Sequence, residues 1–164
     1  MLLYYLKGGT SMKILGENGL SGIVKHFIDL IFFGGIVIVL GLPFILRWYM
    51  DWLAGSTSEL YAFLLPFLYM TGILALIIVN ELRKIFKTLN RMDPFRMDNV
   101  RSFKLMSVCC FVVAFLYLAK IFFFNSFLTI ILMMVFIIAG FFLLIIAEVF
   151  RQAVIVKEEN DLTI

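Results

Sequence analysis

The sequence has a single histidine, His26, and two cysteines, Cys109 and Cys110, which are adjacent within an apolar run. There is no Cys-x-x-Cys pair and no second histidine, so no metal ligand set is assigned. Neighbouring helical residues point in different directions, so a disulfide between the two cysteines is not expected. A reactive thiol needs an accessible, electropositive setting, and both are read instead as inert packing groups. Charge is also scarce, at 15% of residues against about 25% in an ordinary soluble domain. Paired acids, a His-rich motif and an activated nucleophile are all missing, so the chain is read as a non-enzyme without a cofactor. A formal net charge of +3 is too small to suggest direct nucleic-acid binding.

What the sequence does have is oil. Of 164 residues, 63% are hydrophobic and 16% aromatic, and the mean hydropathy is +1.07. A soluble domain of this size leaves much of its surface in water and cannot hide so much apolar area. The solvent for most of the chain is therefore lipid. A helix crosses the hydrocarbon core with about 20 apolar residues, each rising about 1.5 Å. Four stretches qualify, at about 28–48, 60–79, 105–124 and 127–147. In lipid each backbone group must be paired within its own segment, so these runs are helices. The fold class is an all-α membrane protein with a four-helix transmembrane domain over 28–148. Segments 1–27, 81–104 and 149–164 are a cytoplasmic N-terminus, a central basic loop and an acidic tail.

That orientation rests on the positive charges, which accumulate in cytoplasmic loops. Lys7, Lys13 and Lys25 precede the first span, and Arg83, Lys84, Lys87, Arg91, Arg96, Arg101 and Lys104 lie between the second and third. The loop after the first span has only Arg47 at its edge, with Asp51 and Glu59. Both termini and the central loop therefore face the cytoplasm. Trp48, Tyr49 and Trp52 fall at the outer headgroups, where amphipathic rings prefer to sit. Upstream, Lys7-Gly8-Gly9 can be encoded as AAA-GGA-GG, which would be a ribosome-binding sequence before an ATG at Met12. Translation is accordingly expected to start at Met12, with residues 1–11 as upstream sequence. The other reading is a short disordered N-terminus.

Polar groups at membrane depth are functional candidates by default. Lys120 lies near the outer end of span three and is expected to extend its ammonium to the headgroups. Asp29, Glu148, Asn80 and Glu81 fall at the cytoplasmic ends of their spans, within reach of water. The scattered Thr71, Tyr69, Ser107 and Tyr117 form no polar face continuous through the bilayer, as a transporter would need. Small residues mark expected packing faces: Ser107, Cys110 and Ala114 on span three, Gly34 and Gly41 on span one, Gly140 and Ala147 on span four.

In the central loop, "ELRKIFKTL" continues the second helix, with Leu82, Ile85, Phe86 and Leu89 on one stripe. It ends before Pro94, with Asn90 as terminator. Asp98 or Asn99 is expected to cap the next helix, and Phe95 to pack on the apolar stripes of the two extensions. Glu158, Glu159 and Asp161 in the tail suggest contact with the basic loop, worth about 0–1 kcal/mol per exposed pair. Alternatively the loop charges meet anionic lipid.

"LNRMDPFRMDNVRSFKLMS" resembles the loop pattern of the domain of unknown function 2975 (YoaS-like) family of bacterial membrane proteins, through Pro94, Phe95, Asn99 and Arg101. "AEVFRQAVIVKEENDLTI" is similar to that family's C-terminal signature through Glu148, Phe150, Arg151, Glu158, Glu159, Asn160, Asp161 and Leu162. The start "GLSGIVKHFIDLIF" resembles the family too. Met92 before Asp93, and Phe103 in place of an expected leucine, depart from the loop pattern. The resemblance implies a multi-pass protein of the bacterial cell membrane with no assigned enzymatic activity. Members are commonly encoded beside a small helix-turn-helix regulator. By association, that implies a partner held through the loop and tail. A small transporter, channel or resistance factor is the alternative, and a homo-oligomer stays open.

Overall fold

The computed structural model describes residues 20–52, 58–91, 93–124 and 126–161. The expected start at Met12 and the tail residue Leu162 lie outside them. Four helices follow one another along the chain: α1 (Leu20–Trp52), α2 (Ser58–Asn90), α3 (Met97–Phe123) and α4 (Phe127–Asp161). All four are long and apolar enough to cross a bilayer. At about 1.5 Å per residue, α2, with 33 residues, is roughly 50 Å long, well beyond the roughly 30 Å of a hydrocarbon core.

Large side chains crowd the outside of the bundle. Phe44 is 82% exposed, Phe122 83% and Phe127 79%, and α1 adds Leu30, Phe33, Val37 and Leu40. A soluble protein rarely presents so continuous an apolar surface, and lipid is the solvent that fits it. The chain is a multi-pass membrane protein.

Sequential helices pack as antiparallel neighbours, α1 on α2, α2 on α3 and α3 on α4. Small residues set the approaches, as expected in lipid, where close backbone contact replaces the hydrophobic effect. Ser107 is fully buried and its hydroxyl donates to the Gly140 carbonyl at 2.8 Å. A Cβ added at Gly140 would meet the Phe111 ring at 2.9 Å. Cys109, Cys110, Ala114 and Ala147 are buried. The expected face on α1 is displaced by one residue. Gly34 has nothing near it, and a Cβ at Gly41 would meet only Ile45 of its own helix. The α1–α2 approach lies instead at Gly35, against Leu76, and at Gly72, against Val39.

The tightest core lies toward one end of the bundle, where Ile85 of α2, Val100, Phe103 and Met106 of α3, and Ala147 and Val154 of α4 cluster. The α2–α3 connection sits at that end, which we call the loop end. At the opposite end α3 ends at Phe123 and α4 begins at Phe127, and the Phe63 ring lies tilted against Phe123 and Phe124, 5.3 Å and 5.1 Å between ring centres. Lys120 differs from expectation. Its ammonium points into the bundle, 3.4 Å from the buried Thr129 hydroxyl and 5.4 Å from the centre of the Phe67 ring. A hydroxyl and a π-face satisfy the cation locally, so it need not reach outward.

Candidate functional site

The loop end gathers most of the polar chemistry. α2 stops at Asn90, as Pro94 requires, and α3 starts at Met97, leaving a short connection. Its shape is held by Asn99, which is 1% exposed. The Asn99 side-chain amide donates to the Thr88 hydroxyl at 2.7 Å and to the Pro94 carbonyl at 2.7 Å. Thr88 in turn donates to the Ile85 carbonyl at 2.8 Å. Neither Asp98 nor Asn99 caps α3: the N-cap is Arg96, in extended geometry and without a side-chain cap bond. Asn99 sits inside the first turn and ties the connection back to α2.

A second polar tie lies one helical turn deeper. Glu81 is buried, and its carboxylate accepts from the Ser102 hydroxyl at 2.7 Å and from Lys84 at 2.5 Å. On the α1 side Arg83 pairs with Asp29 at 2.5 Å and lies 4.4 Å from the centre of the Phe32 ring. Both acids are thus matched by cations near the helix ends.

α4 completes the site. It does not end where its apolar run ends but continues to Asp161. Ala147, Phe150 and Val154 recur at helical spacing and carry its inward stripe past the span. Phe150 packs 4.9 Å from Phe103 and 5.8 Å from Phe95. Phe95 therefore meets α4 through Phe150. Lys157 donates to Asp93 at 2.8 Å. In this pair the tail contributes the cation and the loop the acid. Lys157 holds the Asp93 carboxyl below its usual value through a side-chain hydrogen bond. Glu148 and Arg151 pair with each other on the exposed side of α4.

Of the residues singled out from the sequence, Pro94, Phe95, Asn99 and Phe150 meet in this seam. Glu158 lines a shallow pocket beside it, with Asp93, Phe95 and Lys157. Glu159 and Asn160 are exposed on the end of α4, and Asp161 is its last residue. Arg101 lies apart, in a cleft between α2 and α3. The sequence does not single out Asp93, Lys157, Ser102 or Val154, and it marks Glu81 only as a polar group at the end of its span. Only Val154 was recoverable, from the stripe it shares with Ala147 and Phe150. Among the described residues no group of three or more His, Cys, Asp or Glu converges as a metal site.

A family described as protein of unknown function, DUF2975, matches residues 45–164, which take in most of the chain and the whole seam. The chain belongs to the DUF2975 family. No curated protein and no solved structure matches it. Within the family match lie the rest of α1 from Ile45 and all of α2, α3 and α4; the first 44 residues lie outside it. The loop and tail segments that suggested the family are therefore also the parts that the fold packs together.

Proposed function

We propose that this DUF2975 protein is a non-enzymatic membrane anchor of the bacterial cell membrane, whose loop end faces the cytoplasm and docks a small helix-turn-helix regulator. One observation carries the reading: the α2–α3 connection and the end of α4 form one composite surface through Phe95–Phe150 and Asp93–Lys157. A preformed surface of this kind holds a partner at lower ordering cost than two loose segments would. Exposed Glu158, Glu159 and Asn160 offer it an acidic rim. That rim suits a basic DNA-binding protein and would compete with DNA for it. Within the bilayer the hydroxyls of Ser107 and Thr71 bond to backbone carbonyls, which favours packing roles over a transport path.

The test is co-purification in mild detergent of the full chain with the helix-turn-helix protein encoded beside its gene. Truncation after Lys157 leaves Val154 and the seam in place. The regulator is expected to remain with the full chain and to be lost from the truncated one. Equal recovery from both would reject the tail's part in docking.

A further inference from the structure

A separate feature at the loop end is not explained by the seam. α2, the connection and α3 enclose a cleft of about 490 Å3 lined by Lys84, Lys87, Arg91, Arg96 and Arg101. We propose that this cleft binds a phosphate-bearing anion, supplied either by an anionic phospholipid headgroup or by a free phosphate compound.

The charges converge because of the fold. Glu81, Lys84 and Thr88 share one face of α2 at spacings of three and four, Arg91 follows directly after its last residue, and Asp98, Arg101, Ser102 and Leu105 share one face of α3. The two acids among these residues are already engaged. Glu81 accepts from Lys84 and Ser102, and Asp98 pairs with Arg96 at 3.2 Å. Among the described residues, Lys87, Arg91 and Arg101 have no carboxylate within ion-pair reach. Three unmatched cations around one concavity repel each other, and a ligand with several anionic oxygens relieves that repulsion. Two of the three are arginines, whose planar forks match phosphate bidentately. The start of α3, without a side-chain cap, adds the positive end of a helix dipole to the same cleft.

Depth agrees with the chemistry. The floor lies at Glu81 and Leu105, where the apolar runs of α2 and α3 begin, and the walls rise along the polar extensions. In a spanning bundle that is the level of lipid phosphates. A neighbouring cleft of about 410 Å3 between α1 and α2 shares Lys84 and Lys87. There Asp29 matches Arg83, which leaves Lys25 and the shared Lys87, against Lys87, Arg91 and Arg101 on the α3 side. The common alternative for a basic helix end is a solvated face without a ligand. Such a face responds to total charge, whereas a site responds to the charges lining it.

The experiment follows thermal unfolding of the full chain in a non-ionic detergent at fixed ionic strength. The probes are phosphatidylglycerol, phosphatidylcholine and inorganic pyrophosphate. A double variant in the cleft, Arg91→Gln with Arg101→Gln, is compared with Lys104→Gln with Arg151→Gln, which removes the same charge elsewhere. Phosphatidylglycerol or pyrophosphate is expected to raise the melting temperature of the wild type and of the control. The cleft variant is expected to bind that probe roughly tenfold or more weakly. A response to phosphatidylglycerol alone assigns a lipid source, and a response to pyrophosphate in lipid-free micelles assigns a free phosphate. Equal weakening in both variants, or no shift with either anion, overturns the proposal. Native mass spectrometry of the wild type needs no variant. Retention of phosphatidylglycerol or pyrophosphate in preference to phosphatidylcholine supports the site, and retention without preference overturns it.

Discussion

Asn99 is the residue on which the loop end turns. It is buried at 1% exposure, and its amide bridges α2, through Thr88, to the connection, through Pro94. Asn99→Ala removes both bonds and leaves buried acceptors poorly matched, which costs about 1–3 kcal/mol. Thermal unfolding in detergent is expected to show that loss, whereas exposed Asp98→Asn is expected to change stability much less. Equal effects of the two would show that burial of the Asn99 amide does not matter. The sequence marked Asn99 as special but misread it as a cap, because a first-turn Asn serves a cap or a tie-back equally well by spacing alone. Gly34 and Gly41 were misread for a similar reason. A seven-residue repeat identifies a helix face, but only the partner helix decides which face is covered. Here that face passes through Gly35.

At the scale of elements, the extension of α4 decides whether the loop and tail behave as one unit. Its inward stripe holds Phe150 against Phe103 and Phe95, and Lys157 ties it to Asp93. The Asp93 carboxyl is held below the ordinary value of 3.8, chiefly by the hydrogen bond from Lys157. A depressed acid contributes to the folded contact above its unfolded pKa, and loses that contribution as pH falls through the lower, folded value. The tether is therefore complete at neutral pH and released only in acid below about 3.8. A carbon-13 NMR titration of the Asp93 carboxyl is expected to give a midpoint below 3.8 in the wild type. In Lys157→Gln the midpoint should rise toward that value, and an unmoved midpoint would break the assignment. The four helices and their short connections were legible from apolar run lengths and from Pro94. The Asp93–Lys157 tie was not, because it joins positions 64 residues apart and reverses the charge pattern that each segment carries on average.

For the whole molecule, the order of the helices brings the start of α1, the α2–α3 connection and the end of α4 to one end, through Asp29–Arg83 and Phe95–Phe150. The unequal distribution of Lys and Arg is the ground on which we propose a cytoplasmic placement for that end, and both the docking surface and the anion cleft require it. Single cysteines placed by Phe95→Cys, Ser126→Cys or Asn160→Cys, in a chain with Cys109→Ala and Cys110→Ala, test it most directly. Intact cells are treated with a membrane-impermeant thiol reagent. Ser126→Cys is expected to be labelled at once, and Phe95→Cys and Asn160→Cys only after the membrane is opened. Labelling of either of those two from outside the intact cell would contradict the account.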